Sequence, residues 1–278
     1  LLAYPDLAAQ PYAEYAGNEQ FLYQLFCIGR GEYDVEAIRI EDTAIDEFDD
    51  VEYEVVAPGG TLSLFPAAVT TSVEVAGQDL PTSTAVGAYV ANAAGTDANA
   101  LAIDLVYPRG IYYANTDGSL ASVDVVVQIE AREIDDSGSP VGSWSTLATE
   151  TVSGATTTPQ RRSFRYSVTA GRYEVRLTRT DTEQTAVEYG HDVVWGALRA
   201  YLVDDADYGD VTLLAVRMRA SSQLSGQAAR KVNVIATRKL PVWSGAAWSA
   251  ATATRSPAWA LAYTAKAIGL TDAELDLA

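Results

Sequence analysis

Acidic side chains are the most numerous groups in this sequence that could do chemistry, with 37 Asp and Glu among 278 residues. Two clusters could bind calcium: Glu41, Asp42, Asp46, Glu47, Asp49 and Asp50, and then Asp204, Asp205, Asp207 and Asp210. Neither cluster has the one-residue alternation and closing glutamate of a calcium loop. We therefore predict solvated acidic loops and no metal site. Glycoside hydrolysis would need one particular pair of carboxylates, and no pair stands out, so we predict no catalytic residue and no enzyme.

Aromatic side chains offer a second kind of chemistry, because exposed rings can stack on sugars. The chain has 16 Tyr and 5 Trp, and most aromatic rings in a β-sandwich pack in the core or at its rim. Trp195 lies in an alternating strand and is predicted to be core. Trp144 and Trp248 lie in polar, loop-like surroundings, and these two are the candidate surface-aromatic contacts.

Nucleophilic and redox chemistry have little support. A single cysteine excludes an internal disulfide, and Cys27 lies in an apolar run that predicts a buried core thiol. A cysteine nucleophile would need a histidine partner. The only histidine, His191, precedes a strand without ligand-spaced companions and is predicted to be structural. Paired glycines such as Gly59-Gly60 are too few for a phosphate loop, so no cofactor is predicted.

Composition bounds the function further. A net charge of −18 argues against nucleic-acid binding through phosphate contacts and favours solubility or a patch for a basic partner. A hydrophobic fraction of 48% is typical of a globular chain. No apolar run approaches the roughly 20 residues of a membrane helix, so no transmembrane segment is predicted. The chain starts at Leu1, and its only methionine is Met218, so we expect a piece of a longer protein.

The elements that position these side chains are predicted to be mainly β-strands. Phe21 to Ile28 is a short apolar run ended by glycine, which fits a strand buried on both faces. Alternation over 37–41 and 51–56 predicts strands with one buried face. Residues 83–98 are rich in Ala, Gly, Thr and Asn and predict a linker or long loop. Residues 1–20 predict an extended arm, whose tyrosines would be either interface anchors or cover for their own domain.

A second run of strands follows. Regularly spaced strands without helices over 99–203 predict an antiparallel β-sandwich. After residue 204 the strand pattern of residues 21–56 returns, and residues 211–219 and 231–238 predict two paired strands. Near the end, Ser256 and Pro257 predict a helix start, and Thr271 to Glu274 form a capping box. The fold class is therefore mainly β, with a short C-terminal helical segment that we expect to be cut at a fragment boundary.

Three segments together resemble the tip-attachment, or host-specificity, family of bacteriophage central tail-tip proteins, of which lambda protein J is the type. The first is 22–56, with Gly29-Arg30-Gly31-Glu32-Tyr33 and then Ile38 to Ile45. The second is 212–241, where two strands flank a turn. The third is Arg255-Ser256-Pro257-Ala258-Trp259, similar to the family's helix start. The three occur in the family's order and approximate spacing.

This resemblance implies a split β-rich hub domain, made of residues 1–82 with the N-terminal arm and of residues 204–278, with residues 84–203 as an inserted sandwich. It implies a structural subunit of the virion, in a phage or prophage tail tip, that links tail tube to central fibre and supports host attachment and genome delivery. The implied partners are other tail-tip proteins, two further copies in a homotrimer, and a host receptor contacted outside this chain. Fibronectin-like domains are expected outside it too.

Two interpretations stay open alongside this one. Some of the negative charge could line a lumen through which DNA slides without sequence-specific binding. From a different class, the chain could be a carbohydrate-binding β-sandwich module of a secreted or surface protein, with Trp144 or Trp248 as its platform.

Overall fold

The computed structural model describes residues 2–65, 68–182, 184–203, 208–220, 231–275 and 277. The strands up to residue 90 are β1 (Leu2–Ala3), β2 (Asp6–Leu7), β3 (Tyr12–Ala16), β4 (Glu19–Arg30), β5 (Tyr33–Ile40), β6 (Thr43–Ala44), β7 (Val51–Val56), β8 (Val69–Thr71), β9 (Gln78–Asp79) and β10 (Ala85–Val90). The later strands are β11 (Ala98–Tyr107), β12 (Tyr112–Ala114), β13 (Leu120–Ala121), β14 (Val123–Glu133), β15 (Ser145–Gly154), β16 (Gln160–Gly171), β17 (Tyr173–Arg179), β18 (Tyr189–Gly190), β19 (Val194–Leu202), β20 (Val211–Arg219), β21 (Val232–Leu240) and β22 (Thr252–Ala253). Helix α1 spans Pro257–Ala267, and 3-10 turns lie at Ile45–Glu47 and Asp272–Glu274.

The chain divides into two compact units. The first comprises residues 1–11, 22–66 and 207–278, and the second comprises residues 12–21 and 67–206. The prediction of a mainly β chain with a short C-terminal helical segment is confirmed. The capping box is present as well: the Thr271 N–H and hydroxyl both donate to the Glu274 carboxylate, and the turn that the box begins is the 3-10 turn Asp272–Glu274.

The first unit contains two sheets. One has the order β1-β21-β5-β6, with β22 added on β21, and the other has the order β2-β4-β20-β7. Alternate residues of β20, Leu214, Val216 and Met218, are buried and share one cluster with Val232 and Val234 of β21. Because side chains alternate between the faces of a strand, this cluster is the core of the first unit.

The second unit contains a sandwich of two antiparallel sheets. One sheet has the order β10-β17-β14-β15 and the other the order β16-β11-β19-β8, with β9 added on β19. A smaller sheet has the order β13-β12-β18. The shared core includes alternate residues of β11 and β14 and the ring of Trp195; its fully buried members are Leu101, Ile103, Leu105, Val125, Val127, Ile129 and Trp195. The core position predicted for Trp195 is observed.

Strand β3 covers the outer face of the β16-β11-β19 sheet. The Tyr12 ring meets Tyr201 edge-on at 6.0 Å between centroids, and the Tyr15 backbone donates a 2.8 Å hydrogen bond to Ser163 Oγ. Asn18 donates to the Pro159 carbonyl at 3.0 Å. Of the two alternatives for the arm, cover for its own domain describes Tyr12, which is 6% exposed.

The structure corrects the predicted linker over 83–98. Strand β10 occupies residues 85–90 and pairs antiparallel with β17. Its register shifts between Gly87 and Tyr89, so Val86 and Tyr89 both reach the core although they do not alternate. Strands β8 and β9 pair with β19, which puts residues 67–82 in the second unit. How the predicted hub and insertion divide in an assembled particle stays a prediction.

Candidate functional site

Trp144 lies on the outer face of the β10-β17-β14-β15 sheet. Two guanidinium groups stack on its ring, Arg132 at 4.7 Å and Arg176 at 4.3 Å from the ring centroid. Arg176 lies directly opposite Glu130 in the register of β14 and β17, and its Nε donates to Glu130 at 2.8 Å. Arg132 is paired in the same way with Glu174. These cross-strand ion pairs hold both cations in place for the ring.

Trp248 lies at the centre of an aromatic cluster in the first unit. The rings of Trp243 and Trp259 are 5.5 and 5.9 Å away, and Lys266 Nζ lies 4.7 Å from the Trp248 centroid. The indole Nε1 donates to Asp272 Oδ1 at 3.0 Å, and Lys266 donates to the same oxygen at 2.6 Å. This bond to Lys266, followed by the indole bond, holds the pKa of Asp272 below its usual range. Two tryptophan rings, a lysine and a carboxylate therefore contact the Trp248 side chain.

A pocket of about 350 Å³ opens beside Trp248. Its lining residues are Pro241, Trp248, Ser249, Tyr263, Lys266 and Ala267. Helix α1 buries Ala262, while Leu261 and Ile268 are 72% and 75% exposed. The wall is largely apolar with one cation already paired to Asp272. The pocket can accept an apolar group.

The acidic clusters lie in paired or solvated surroundings. Asp46 accepts a 3.0 Å hydrogen bond from the Tyr53 hydroxyl, and Asp50 accepts bonds from Arg219. Asp210 lies 3.6 Å from Arg30, whereas Asp204, Asp205 and Asp207 lie outside the described residues. Among the residues that the structure describes, no three His, Cys, Asp or Glu side chains come together as metal ligands.

His191 and Cys27 lie in different units. His191 is 7% exposed, and its burial, followed by the nearby Arg179 charge, lowers its pKa from the ordinary 6.5. Cys27 is half-buried rather than fully buried as predicted, because it lies on the less covered part of β4.

A buried ion pair in the second unit was missed by sequence reasoning. Asp104 of β11 accepts two hydrogen bonds from Arg199 of β19, at 2.6 and 2.5 Å, and a further one from the Ser163 hydroxyl. Both charged residues are less than 5% exposed. Burial alone would lower the pKa of Arg199, but the hydrogen bonds and charge of Asp104 raise it. The available signal was an acid inside the apolar run Leu101 to Val106.

Comparison with known families identifies the second unit. Residues 70–204 match the sequence profile described as tip attachment protein J, FNIII-A domain. Residues 70–204 are therefore similar to the FNIII-A domain of tip attachment protein J. Tip attachment protein J is a component of the phage tail, so this domain supports a place in the virion and a structural role at the tail tip. The suspected resemblance is thereby confirmed.

The match also adds to one expectation. The resemblance placed fibronectin-like domains outside this chain, which stays a prediction, and the match shows an FNIII-A domain within it that contains Trp144, Asp104, Arg199 and His191. Trp248 lies outside the matched residues. No helix in the described part of the chain is long and apolar enough to cross a membrane. That Trp144 and Trp248 contact a ligand or partner stays a prediction.

Solved structures give only remote similarity. Two infectious bursal disease virus chains are 11% and 9% identical, with TM-scores of 0.28 and 0.30, over 89% and 78% of this chain. The chain spans about half of their length, 55% and 49%. The stem and receptor-binding domain of spike protein P1 from bacteriophage PM2 is 12% identical, with a TM-score of 0.25, over 76% of this chain and 99% of that one. Scores this low establish no common fold. No curated protein matches the sequence.

Proposed function

We propose that this chain is a non-enzymatic building block of the phage tail tip that links the tail tube to the central fibre. In this role it supports host attachment and genome delivery. The observation that carries the proposal is the FNIII-A match over residues 70–204.

The organisation of the chain supports a hub with an insertion. The first unit is assembled from residues before and after the FNIII-A domain, and its core joins β4 and β5 to β20 and β21. In the proposed layout, the first unit is the hub and the second unit is the domain inserted into its sequence. Such split β-domains present sheet edges, and a closed ring of copies would cover them. We therefore propose a homotrimer around the tail axis, in contact with other tail-tip proteins and, outside this chain, with the host receptor.

Immunogold electron microscopy tests the location of the chain. Antibody raised against residues 84–203 is applied to particles released by the cells that encode the chain. We expect label at the distal end of the tails, because the inserted domain would be exposed there. Antibody pre-absorbed with the purified domain is the control and should remove the label. Particles without label at the distal end, together with protein free in the medium, would contradict the proposal.

The linking role needs a second measurement. The gene is altered so that a short Gly-Ser linker replaces residues 67–206, which removes β8 and β9 together with β19, their pairing partner. If the first unit forms the hub, tails should still assemble, while adsorption to the host changes. Loss of all tails with an otherwise stable protein would argue that the inserted domain is itself part of the tube-to-fibre link.

A further inference from the structure

Within the FNIII-A domain, His191 contacts the segment Gln184–Gly190 that precedes it in sequence. Its Nε2 accepts a long hydrogen bond of 3.4 Å from the Gln184 backbone N–H. Because Nε2 accepts, the proton of the neutral imidazole lies on Nδ1. That nitrogen is buried and has no hydrogen-bond partner among the described residues. The ring also packs on Tyr189, with 5.7 Å between centroids.

The same segment holds the small sheet in place. Gly190 lies opposite Tyr112 in the pairing of β18 with β12, and the Ala114 N–H donates to the Glu188 carbonyl at 2.9 Å. The Tyr189 ring contacts Tyr113 at 4.7 Å between centroids. His191 thus touches the segment at Gln184 and Tyr189, and the segment in turn pairs with β12.

Among the described residues, each carboxylate that acts on His191 is already paired with an arginine. Arg179, at the end of β17, is paired with Asp181 at 2.7 Å, and both side chains are at most 10% exposed. Arg109, after β11, is paired with Asp192 at 2.6 Å. A protonated His191 would therefore be near two guanidinium cations, each paired with one of two carboxylates, and against the neutral Tyr189 ring. Burial among these groups disfavours the charged imidazolium.

We propose that His191 is an acid-sensitive latch, in which protonation of Nε2 removes the acceptor of the Gln184 N–H and releases the segment Gln184–Gly190 with the β12-β18 pairing. This goes beyond the tail-tip role and does not depend on it. The released state would uncover Tyr113 and Tyr189 at one end of the FNIII-A domain.

The direction with pH follows from the two states of the segment. In the open segment His191 has its ordinary pKa near 6.5, and burial lowers the pKa in the closed segment, with the Arg179 charge contributing less. The open state therefore binds more protons. Closure is fully favoured above pH 6.5 and weakens as the pH falls below it, until the closed-state pKa is reached. One proton changes the equilibrium by at most about tenfold per pH unit.

Hydrogen exchange of the intact chain between pH 5 and pH 7.5 tests the latch, with rates corrected for their intrinsic pH dependence. We expect the protection of 184–190 and 112–114 to fall by up to about tenfold per pH unit below 6.5, while 101–106 in β11 stays constant. His191→Gln keeps an acceptor oxygen and does not titrate, so its protection should be flat. Because the chain has one histidine, no other side chain has its ordinary pKa in this range.

A flat profile in the wild-type chain, or the same slope in His191→Gln, would overturn the latch. Should His191→Gln fail to fold, the single imidazole resonance of the wild-type chain decides by NMR. It should titrate below pH 6.5, with the same midpoint as the loss of Gln184 amide protection. A midpoint at or above 6.5, or two unrelated midpoints, would also overturn it.

Discussion

Arg199 and Asp104 form a doubly hydrogen-bonded ion pair inside the FNIII-A domain, at 2.6 and 2.5 Å, with both side chains at most 6% exposed. Ser163 donates to the same carboxylate, and the backbone of Tyr15 in β3 donates to Ser163. The pair therefore lies beneath the N-terminal arm, where its removal from water is compensated by this network. Removing one member leaves the other charged and buried.

Asp104→Asn should destabilise the FNIII-A domain by about 3 to 5 kcal/mol, because it leaves the Arg199 charge buried without a counter-ion. Hydrogen exchange of the slowest β11 and β19 amides reports the opening free energy of this domain. The matched control is Arg109→Gln in an exposed ion pair, for which a change of about 1 kcal/mol or less is expected. Equal effects in the two variants would mean that the buried pair does not stabilise the domain.

Gly110→Ala should destabilise the domain as well. Gly110 has a φ of 80°, and a Cβ there would lie 2.1 Å from the Thr156 carbonyl oxygen. That carbonyl accepts the Ile111 N–H, so backbone would have to move. We expect a loss of about 1 to 3 kcal/mol in thermal or urea unfolding. Gly142→Ala is the control, since nothing lies within 4 Å of its added Cβ. A neutral Gly110→Ala would contradict the close approach.

Trp144→Ala should cost about 1 kcal/mol for the ring contact with the guanidinium groups, in addition to lost packing, whereas Trp144→Phe keeps part of it. The measurement is the unfolding free energy of the two variants. Arg176→Gln and Trp144→Ala should be non-additive, because they remove the same contact. Strictly additive effects would show that the guanidinium does not stabilise the ring.

A glycan array tests Trp144 and Trp248 as ligand contacts. From the tail-tip role we expect no glycan to be retained by this chain, since the receptor would be contacted elsewhere. Trp144→Ala and Trp248→Ala should then match the wild-type chain. Specific binding that either substitution abolishes would favour the carbohydrate-binding alternative for the surface that carries that tryptophan.

Asp272→Ala should loosen the end of helix α1, because it removes the acceptor of both Lys266 and the Trp248 indole. Amide exchange over residues 260–267 should rise, while exchange in β20 stays unchanged. The pKa of Asp272 is lowered chiefly by the Lys266 bond, so this contribution is present above pH 3.8 and is lost as the pH falls through the lower folded-state pKa. Asp272→Ala should lack that acid-dependent step.

The sequence by itself determined those features that depend on neighbours a few residues apart. Alternation predicted β5 and β7, and Ser256 with Pro257 marked the start of α1. Order and spacing of short segments indicated the tail-tip family, which the FNIII-A match confirmed. Such features follow from side-chain period and capping, which act within one strand or one helical turn.

Only the tertiary structure decided which distant residues meet. Strand β10 was missed because a register shift at Gly87 hides its alternation. The Asp104–Arg199 pair joins residues 95 positions apart, and the guanidinium groups on Trp144 depend on the register of β14 against β17. The hydrogen bond from the Gln184 N–H to His191 Nε2 depends likewise on the pairing of β18 with β12. Register and sheet order are properties of the whole core, so no local pattern could reveal these contacts.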